Sequence, residues 1–304
     1  MKKIIQNFLS SAEKSVLGKD KEIKLALCCF LSQGHLLIED VPGTGKTTFA
    51  KTMAALLDLS FARIQFTNDL MPSDLIGIQV YDNKEGKFNL IQGAIFNQFI
   101  LADELNRGTP KTQSALLEAM EEKQISLDGN TLELPLPFFV VATQNPRSQI
   151  GTHHLPESQL DRFMMKIKLG YPDFQSEKKI ISSDDHSTNL KDLQALMNPT
   201  DLNALFNEIK NVKVSEKLLN YVLNILETSR TNDMFQGLSP RSGKDLIKAS
   251  KAWAMIDGRD FVLPDDVQQV LPYVVSHRLA PFQNQNFSSD LELTQTLIRK
   301  VKID

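Results

Sequence analysis

The chain of 304 residues is almost without cysteine, having only Cys28 and Cys29, adjacent inside the apolar run Ile23 to Leu31. Neighbours on a helix cannot easily close an unstrained disulfide, so a cross-linked secreted scaffold is excluded and the pair reads as buried thiols in a reducing compartment. Long apolar runs are missing too. No window approaches the apolar length of a membrane span, so no spanning helix is expected. The basic start Met1-Lys2-Lys3 is followed by Gln6 and Asn7, which make it too short and too polar for a secretory leader. The expected location is cytoplasmic. Neither charge is in excess: 34 Lys and Arg face 37 Asp and Glu, for a net charge of −3 and a pI near 6.0. That balance offers no general attraction to nucleic acid or anionic lipid, although a local basic patch is compatible with it. No internal repeat or low-complexity tract occurs.

What is present is an ordinary globular composition, 41% hydrophobic and 23% charged, over a length that suits two domains. The most informative stretch is Ile38-Glu39-Asp40-Val41-Pro42-Gly43-Thr44-Gly45-Lys46-Thr47-Thr48. A short apolar strand, a Gly-rich turn and a helix opening on Lys-Thr-Thr form the layout of a phosphate-binding P-loop. Gly43 and Gly45 let successive backbone N–H groups turn inward on a polyphosphate, and the free N–H groups at the helix start face the same anion. Lys46 is placed to reach the β- and γ-phosphates of ATP, and the Thr47 hydroxyl to hold Mg²⁺. The pattern departs from the generic motif at its first glycine, which is Asp40 here.

From about Lys19 to Leu169 the chain alternates helix and strand. Helices are predicted over Asp20 to Ser32, Lys46 to Leu57 and Pro110 to Glu122, and strands over His35 to Glu39, Phe61 to Phe66, Asn97 to Asp103, Phe138 to Thr143 and Met164 to Leu169. Short apolar strands separated by helices predict an α/β fold with a parallel sheet between helices. Two segments break the rhythm. Leu75 to Ile91 alternates around Asp82 to Gly86, and Gln124 to Leu134 alternates around Asp128-Gly129; both read as inserted β-hairpins. Beyond Gly170-Tyr171-Pro172-Asp173 the pattern becomes wholly helical: Gln175 to Ser183, Pro199 to Ile209, Ser215 to Arg230, Pro240 to Ile256, Pro264 to Arg278 and Leu291 to Val301. The expected domains are residues 1–171 and a small all-α bundle over 172–304.

Strand Phe99-Ile100-Leu101-Ala102 runs into Asp103-Glu104, a Walker B arrangement in which Asp103 holds Mg²⁺ through its water shell and Glu104 is left free to deprotonate the attacking water. The next strand ends in Gln144-Asn145-Pro146, where the Asn145 amide suits either a γ-phosphate contact or a plain turn. The short helix Pro156 to Phe163 carries Arg162, a surface ion pair in a lone chain and an arginine finger in an assembled ring. Ser239 and Pro240 cap a bundle helix and fix Arg241 at its start, from which it would contact the γ-phosphate. His153-His154 lacks a third ligand at metal spacing and reads as a loop pair, Trp253 reads as bundle core, and Arg107 suits a trans-acting or a structural role equally.

This order of parts resembles that of AAA+ ATPases. The strings Leu101 to Arg107 with Pro110 to Met120, Ala142 to Pro146, Leu155 to Phe163 and Ser239 to Arg241 resemble, more narrowly, the MoxR family. The resemblance covers about Val16 to His277 and implies a P-loop AAA+ core, with the two hairpins as its helix-2 insert and presensor hairpin, followed by a helical lid. It also implies that Val16, Leu17 and Gly18 pack near the adenine, that Asp40 is tolerated, and that Val41, Pro42, Gly43, Thr44, Gly45, Lys46, Thr47, Thr48 and Asp103 bind Mg-ATP. Glu104, Asn145, Arg162 and Arg241 then serve catalysis in a homo-oligomeric ring, commonly a hexamer. Such rings remodel or mature partner protein complexes, including metal-containing enzymes, beside proteins with a von Willebrand factor A domain. No Asp-x-Ser-x-Ser motif occurs here, so that partner is expected to be a separate chain. The competing readings are a helicase-like nucleic-acid motor, disfavoured by the acidic pI, a magnesium-chelatase-type motor subunit, and a nucleotide-dependent scaffold. A bacterial transcription activator is disfavoured because its Gly-Ala-Phe-Thr-Gly-Ala loop is absent.

Overall fold

A computed structural model describes residues 2–145, 155–182, 193–231, 237–279 and 290–301. Pro146 and the pair His153-His154 lie outside the described residues. The chain begins with α1 (Lys2–Ser15) and α2 (Asp20–Leu31). The segment up to Leu9, which reads from sequence only as a failed leader, is the first half of α1, because Ile5, Phe8 and Ala12 at helical spacing are buried. Five strands, β1 (Leu36–Glu39), β2 (Phe61–Gln65), β5 (Phe99–Asp103), β8 (Phe139–Gln144) and β9 (Met165–Ile167), form one sheet in the order β2-β5-β8-β1-β9. Every pairing in it is parallel.

Both faces of this sheet are covered, which is why its strands read as unbroken apolar runs. Alternate residues divide between two cores. Leu36, Ile38, Phe99, Leu101, Phe139 and Val141 face one, and Leu37, Ile100, Ala102, Val140 and Ala142 the other. On the first face, Phe139 stands edge-on to Phe30 and to Phe99, with centroids 5.3 Å apart in each case. Each such pair contributes about 0.5–1.5 kcal/mol beyond simple burial. The second face is closed by α4 (Pro72–Ile76) and α5 (Pro110–Glu122), the latter capped by Thr109 and opened by Pro110.

The predicted hairpins are both present. β3 (Gly77–Asp82) pairs with β4 (Lys87–Gln92), and β6 (Gln124–Leu127) pairs with β7 (Asn130–Glu133) across Asp128-Gly129. Asp128 and Gly129 have φ of 50° and 82°, as a two-residue turn of this hand requires. Short helix α6 (Glu157–Leu160) precedes β9.

The remaining elements are helical: α7 (Phe174–Ser182), α8 (Pro199–Asn211), α9 (Glu216–Thr231), α10 (Pro240–Ile256), α11 (Pro264–Val275) and α12 (Asp290–Lys300). The apolar faces of α8 to α12 join the first core, so one hydrophobic cluster runs from Ile5 to Val301, while α7 buries no residue. Helix α10 packs on α2, and the Cys28 thiol donates to Ala249 O. Burial raises the pKa of both cysteine thiols, which leaves them inert packing groups. Trp253 of α10 is buried too, with the Lys24 ammonium 4.0 Å from its ring centroid.

Candidate functional site

At the C-terminal edge of the parallel sheet, β1 passes through the Gly-rich turn into α3 (Lys46–Leu56). Ligands in open α/β sheets bind at this edge, because strand ends and helix starts converge there. Gly43 and Gly45 have φ of 86° and 82°, and a side chain at either would extend into open space. Both positions thus require glycine for backbone reasons, and the space over them is a cradle of inward-facing N–H groups. A cavity of about 430 Å³ opens on that cradle and is lined by Pro42 to Thr48, Arg63, Gln65, Asp103, Glu104 and Asn145.

Asp40, the residue that replaces the first glycine of the motif, has a structural job. Its buried carboxylate accepts from Val41 N at 2.8 Å and from Gly170 N, tying the start of the loop to the chain beyond β9. The Lys46 ammonium donates to Val41 O at 2.7 Å and Asp40 O at 3.2 Å. Burial pulls its pKa down from the usual lysine range, opposed by the carboxylates of Asp40, Asp103 and Glu104.

The acidic pair is held from two sides. Thr143, buried on β8, donates to Asp103 Oδ1 at 2.6 Å and accepts from Glu104 N at 2.8 Å. From the edge strand β2, Arg63 meets Asp103 Oδ2 at 2.6 Å and 3.2 Å, and Gln65 Nε2 donates to Glu104 Oε2 at 2.8 Å. Asn145 Nδ2 donates to Glu104 Oε1 at 3.1 Å. Glu104 is therefore not free, as its place after a strand suggests; it is oriented by Asn145, Gln65 and Arg107, whose Nε lies 3.3 Å away. It adopts a left-handed backbone, φ 55°, uncommon for a side chain of this kind.

A second cavity of about 320 Å³ shares Gly43, Thr44, Gly45 and Thr48 with the first and is walled by Val16, Leu17, Tyr171, Pro172, Ile180 and Ile181. Gly18 permits this wall to close: its φ is 68°, and a Cβ there would stand 2.8 Å from Ser176 Oγ and 2.9 Å from Asp173 Oδ2. Lys19 fastens the same segment by donating to Leu169 O at 2.6 Å and Tyr171 O at 2.8 Å. One end of the combined site is polar, with Lys46 beside the loop N–H groups, and the other is largely apolar, which suits a nucleotide.

Arg162 and Arg241 do not line either cavity. Arg162 donates to Leu117 O and pairs with Glu121, both at 2.8 Å, and Arg241 reaches the same Glu121 at 3.3 Å. Arg241, expected at a γ-phosphate, pairs here with Glu121. Ser239 caps α10 by accepting from Ser242 N, and the Arg241–Glu121 pair sets the start of α10 beside the C-terminal end of α5.

The chain matches the sequence pattern of the ATPase family associated with various cellular activities (AAA) over residues 35–165, and that of the AAA lid domain over residues 227–301. It is 38% identical over 287 residues to "Chaperone MoxR1" of Mycobacterium tuberculosis, covering 90% of this chain and 75% of that one. It belongs to the MoxR family of AAA+ ATPases. It is also 43% identical over 265 residues to the uncharacterized protein YeaC of Bacillus subtilis, covering 87% and 83% of the two chains. The crystal structure of a protein from Cytophaga hutchinsonii, described as a candidate ATPase, superposes with a TM-score of 0.89 at 37% identity, covering 100% of this chain and 96% of that one.

For a MoxR-family core, the sequence reading missed Arg63, Gln65, Thr143, Tyr171 and Ile181 as site residues. Arg63 and Gln65 carried a signal, since alternate polar residues in a strand pattern point to one side. Among the described residues no cluster of three or more His, Cys, Asp or Glu suits a metal ion, and no helix is long and apolar enough to cross a membrane. Thr47 and Asp103 both line the first cavity, and their oxygens are of the kind that Mg²⁺ takes alongside phosphate oxygens.

Proposed function

We propose that this chain binds Mg-ATP and hydrolyses it within a homo-oligomeric ring, hexameric by family resemblance, and uses the cycle to remodel or mature a partner protein complex. Residues 1–171 serve as the nucleotide-binding core and 172–304 as the lid. The observation that carries this reading is that Glu104, oriented by Asn145 at 3.1 Å, shares one cavity with the P-loop. The polyphosphate lies against the N–H groups of Gly43 to Thr48, and Lys46 exchanges its two carbonyl partners for phosphate oxygens. Thr47 and Asp103 hold Mg²⁺, whose chemistry there is to offset charge on the phosphate oxygens. Glu104 takes the proton of the attacking water, with its orientation kept by the Asn145 and Gln65 amides. The purine occupies the apolar end, against Val16, Leu17 and Gly18.

Arg162 acts on a neighbouring subunit's nucleotide, since it stands outside its own chain's cavity and is part-exposed. Arg241, at the start of α10, exchanges its Glu121 partner for the γ-phosphate and so reports nucleotide state to the lid. The partner is a separate von Willebrand factor A-domain protein, and the two hairpins lie close to the client; a metal-cofactor insertion role falls within the same reading. The exposed side chains Tyr81, Phe88 and Ile91 on the first hairpin support such a grip. The test is a pair of variants. Lys46→Ala is expected to lose nucleotide binding, whereas Glu104→Gln keeps binding while turnover falls by about two orders of magnitude or more. Wild-type turnover no faster than that of Glu104→Gln overturns the assignment.

A further inference from the structure

Arg162 is followed, one residue on, by a backbone that the lid grips. The segment after α11 brings Arg278 and His277 against residues 161–163. Arg278, its side chain 4% exposed, donates from Nη2 to Asp161 O at 3.1 Å, Phe163 O at 2.9 Å and Asp245 Oδ2 at 2.7 Å, and its Nε lies 3.0 Å from Asp161 Oδ1. His277 Nε2 lies 2.8 Å from the same Phe163 O. The carbonyls on both sides of Arg162 are therefore held by one buried guanidinium. Both carbonyls accept from the same Nη2, whose place is set by the Asp245 carboxylate and by Asp161 beside Nε. Asp245 belongs to α10, so the grip is anchored in the lid on a second helix. From Asp161 the charges continue through Arg241, 3.9 Å away, to Glu121 and back to Arg162 itself. The alternating series Arg278, Asp161, Arg241, Glu121, Arg162 closes on the arginine whose backbone is clamped.

We propose that Arg278 is a positioning residue for Arg162, so that the reach of this arginine toward a neighbour is set by where the same chain's lid lies. The proposal rests on the reading of Arg162 as trans-acting. It makes the lid a transmitter: a change in the placement of α10 and α11 moves the two carbonyls that flank Arg162, and with them its guanidinium. Misplacement of a charge-stabilising group by about 1 Å is enough to cost up to about 100-fold in rate.

Mixed oligomers separate this role from simple stabilisation. Arg278→Gln alone should hydrolyse ATP about 10- to 100-fold more slowly than wild type at unchanged nucleotide affinity, with Arg278→Lys between the two. Added Lys46→Ala subunits, which keep an intact Arg278 and Arg162 but lack a working site, should restore turnover to Arg278→Gln. Added Arg162→Ala subunits should not, because neither chain then presents a correctly held arginine. If Arg278→Gln fails to fold, Arg278→Lys is carried through the same mixtures. Wild-type turnover in the Arg278 variants overturns the proposal. So does the absence of rescue by Lys46→Ala when the same subunit rescues Arg162→Ala. Failure of Lys46→Ala to rescue Arg162→Ala, with mixed oligomers formed, overturns the trans reading of Arg162 and the proposal that rests on it.

Discussion

Thr143 shows how much one hydroxyl decides. It bridges Asp103 Oδ1 and the Glu104 N–H, so it sets the spacing of the two acids that adjoin the P-loop. Thr143→Val keeps the shape but leaves that N–H without its acceptor, at a cost of roughly 1–3 kcal/mol. Denaturant titration should show this loss, and turnover should fall while nucleotide binding persists. His35 makes a different forecast. Both its ring nitrogens are engaged, Nδ1 by Val140 N and Nε2 by Met120 O, and burial pushes its pKa down from 6.5 to about 4. The unfolded chain takes up this proton first as the pH falls. The stability contributed by the neutral ring is thus complete above about 6.5 and is lost progressively down to about 4. His277, also buried and lowered for the same reason, adds to the slope. Thermal melts between pH 7.5 and 4.5 should show the decline, and His35→Gln should flatten it.

Among the elements, those with a local signature were legible: α5 from its proline and cap, the second hairpin from Asp128-Gly129, and the P-loop from its glycines. The P-loop's junction with β9 was not, because Asp40 meets Gly170 across 130 residues. Gly129→Ala places a Cβ on a left-handed backbone, at a cost of roughly 1–2 kcal/mol. Hydrogen exchange over residues 124–133 should accelerate, while affinity at the P-loop stays as it was. An equal loss of nucleotide affinity would mean that the hairpin is coupled to the site. Helix α1 escaped notice for a simpler reason: Ile5, Phe8 and Ala12 make an apolar stripe only when the segment is read as a helix and not as a leader.

At the scale of the whole molecule, the outward-facing parts govern what it does. Arg162→Ala should bind nucleotide almost normally yet lose about three orders of magnitude in turnover, and Lys46→Ala subunits should restore it in mixtures. Capture from lysate with Glu104→Gln and ATP is expected to recover a von Willebrand factor A-type protein. Arg241→Ala should weaken the nucleotide dependence of that capture more than the capture itself, because a ligand that prefers one arrangement only shifts its population. Recovery of nucleic acid alone would instead favour the motor reading.

Sequence by itself determined the parallel sheet, both hairpins, the helical lid and the family. Each rests on short-range periodicity or on a contiguous string of residues, from Gly43 to Thr48 and from Leu101 to Arg107. Only the tertiary structure decided which residues surround Glu104, why Asp40 stands where a glycine is usual, and that Arg241 pairs with Glu121. Those outcomes depend on side chains that meet across distant strands and helices. Such contacts leave no pattern along the chain, because charge and hydrogen-bond partners are selected by proximity in space and not by spacing in sequence.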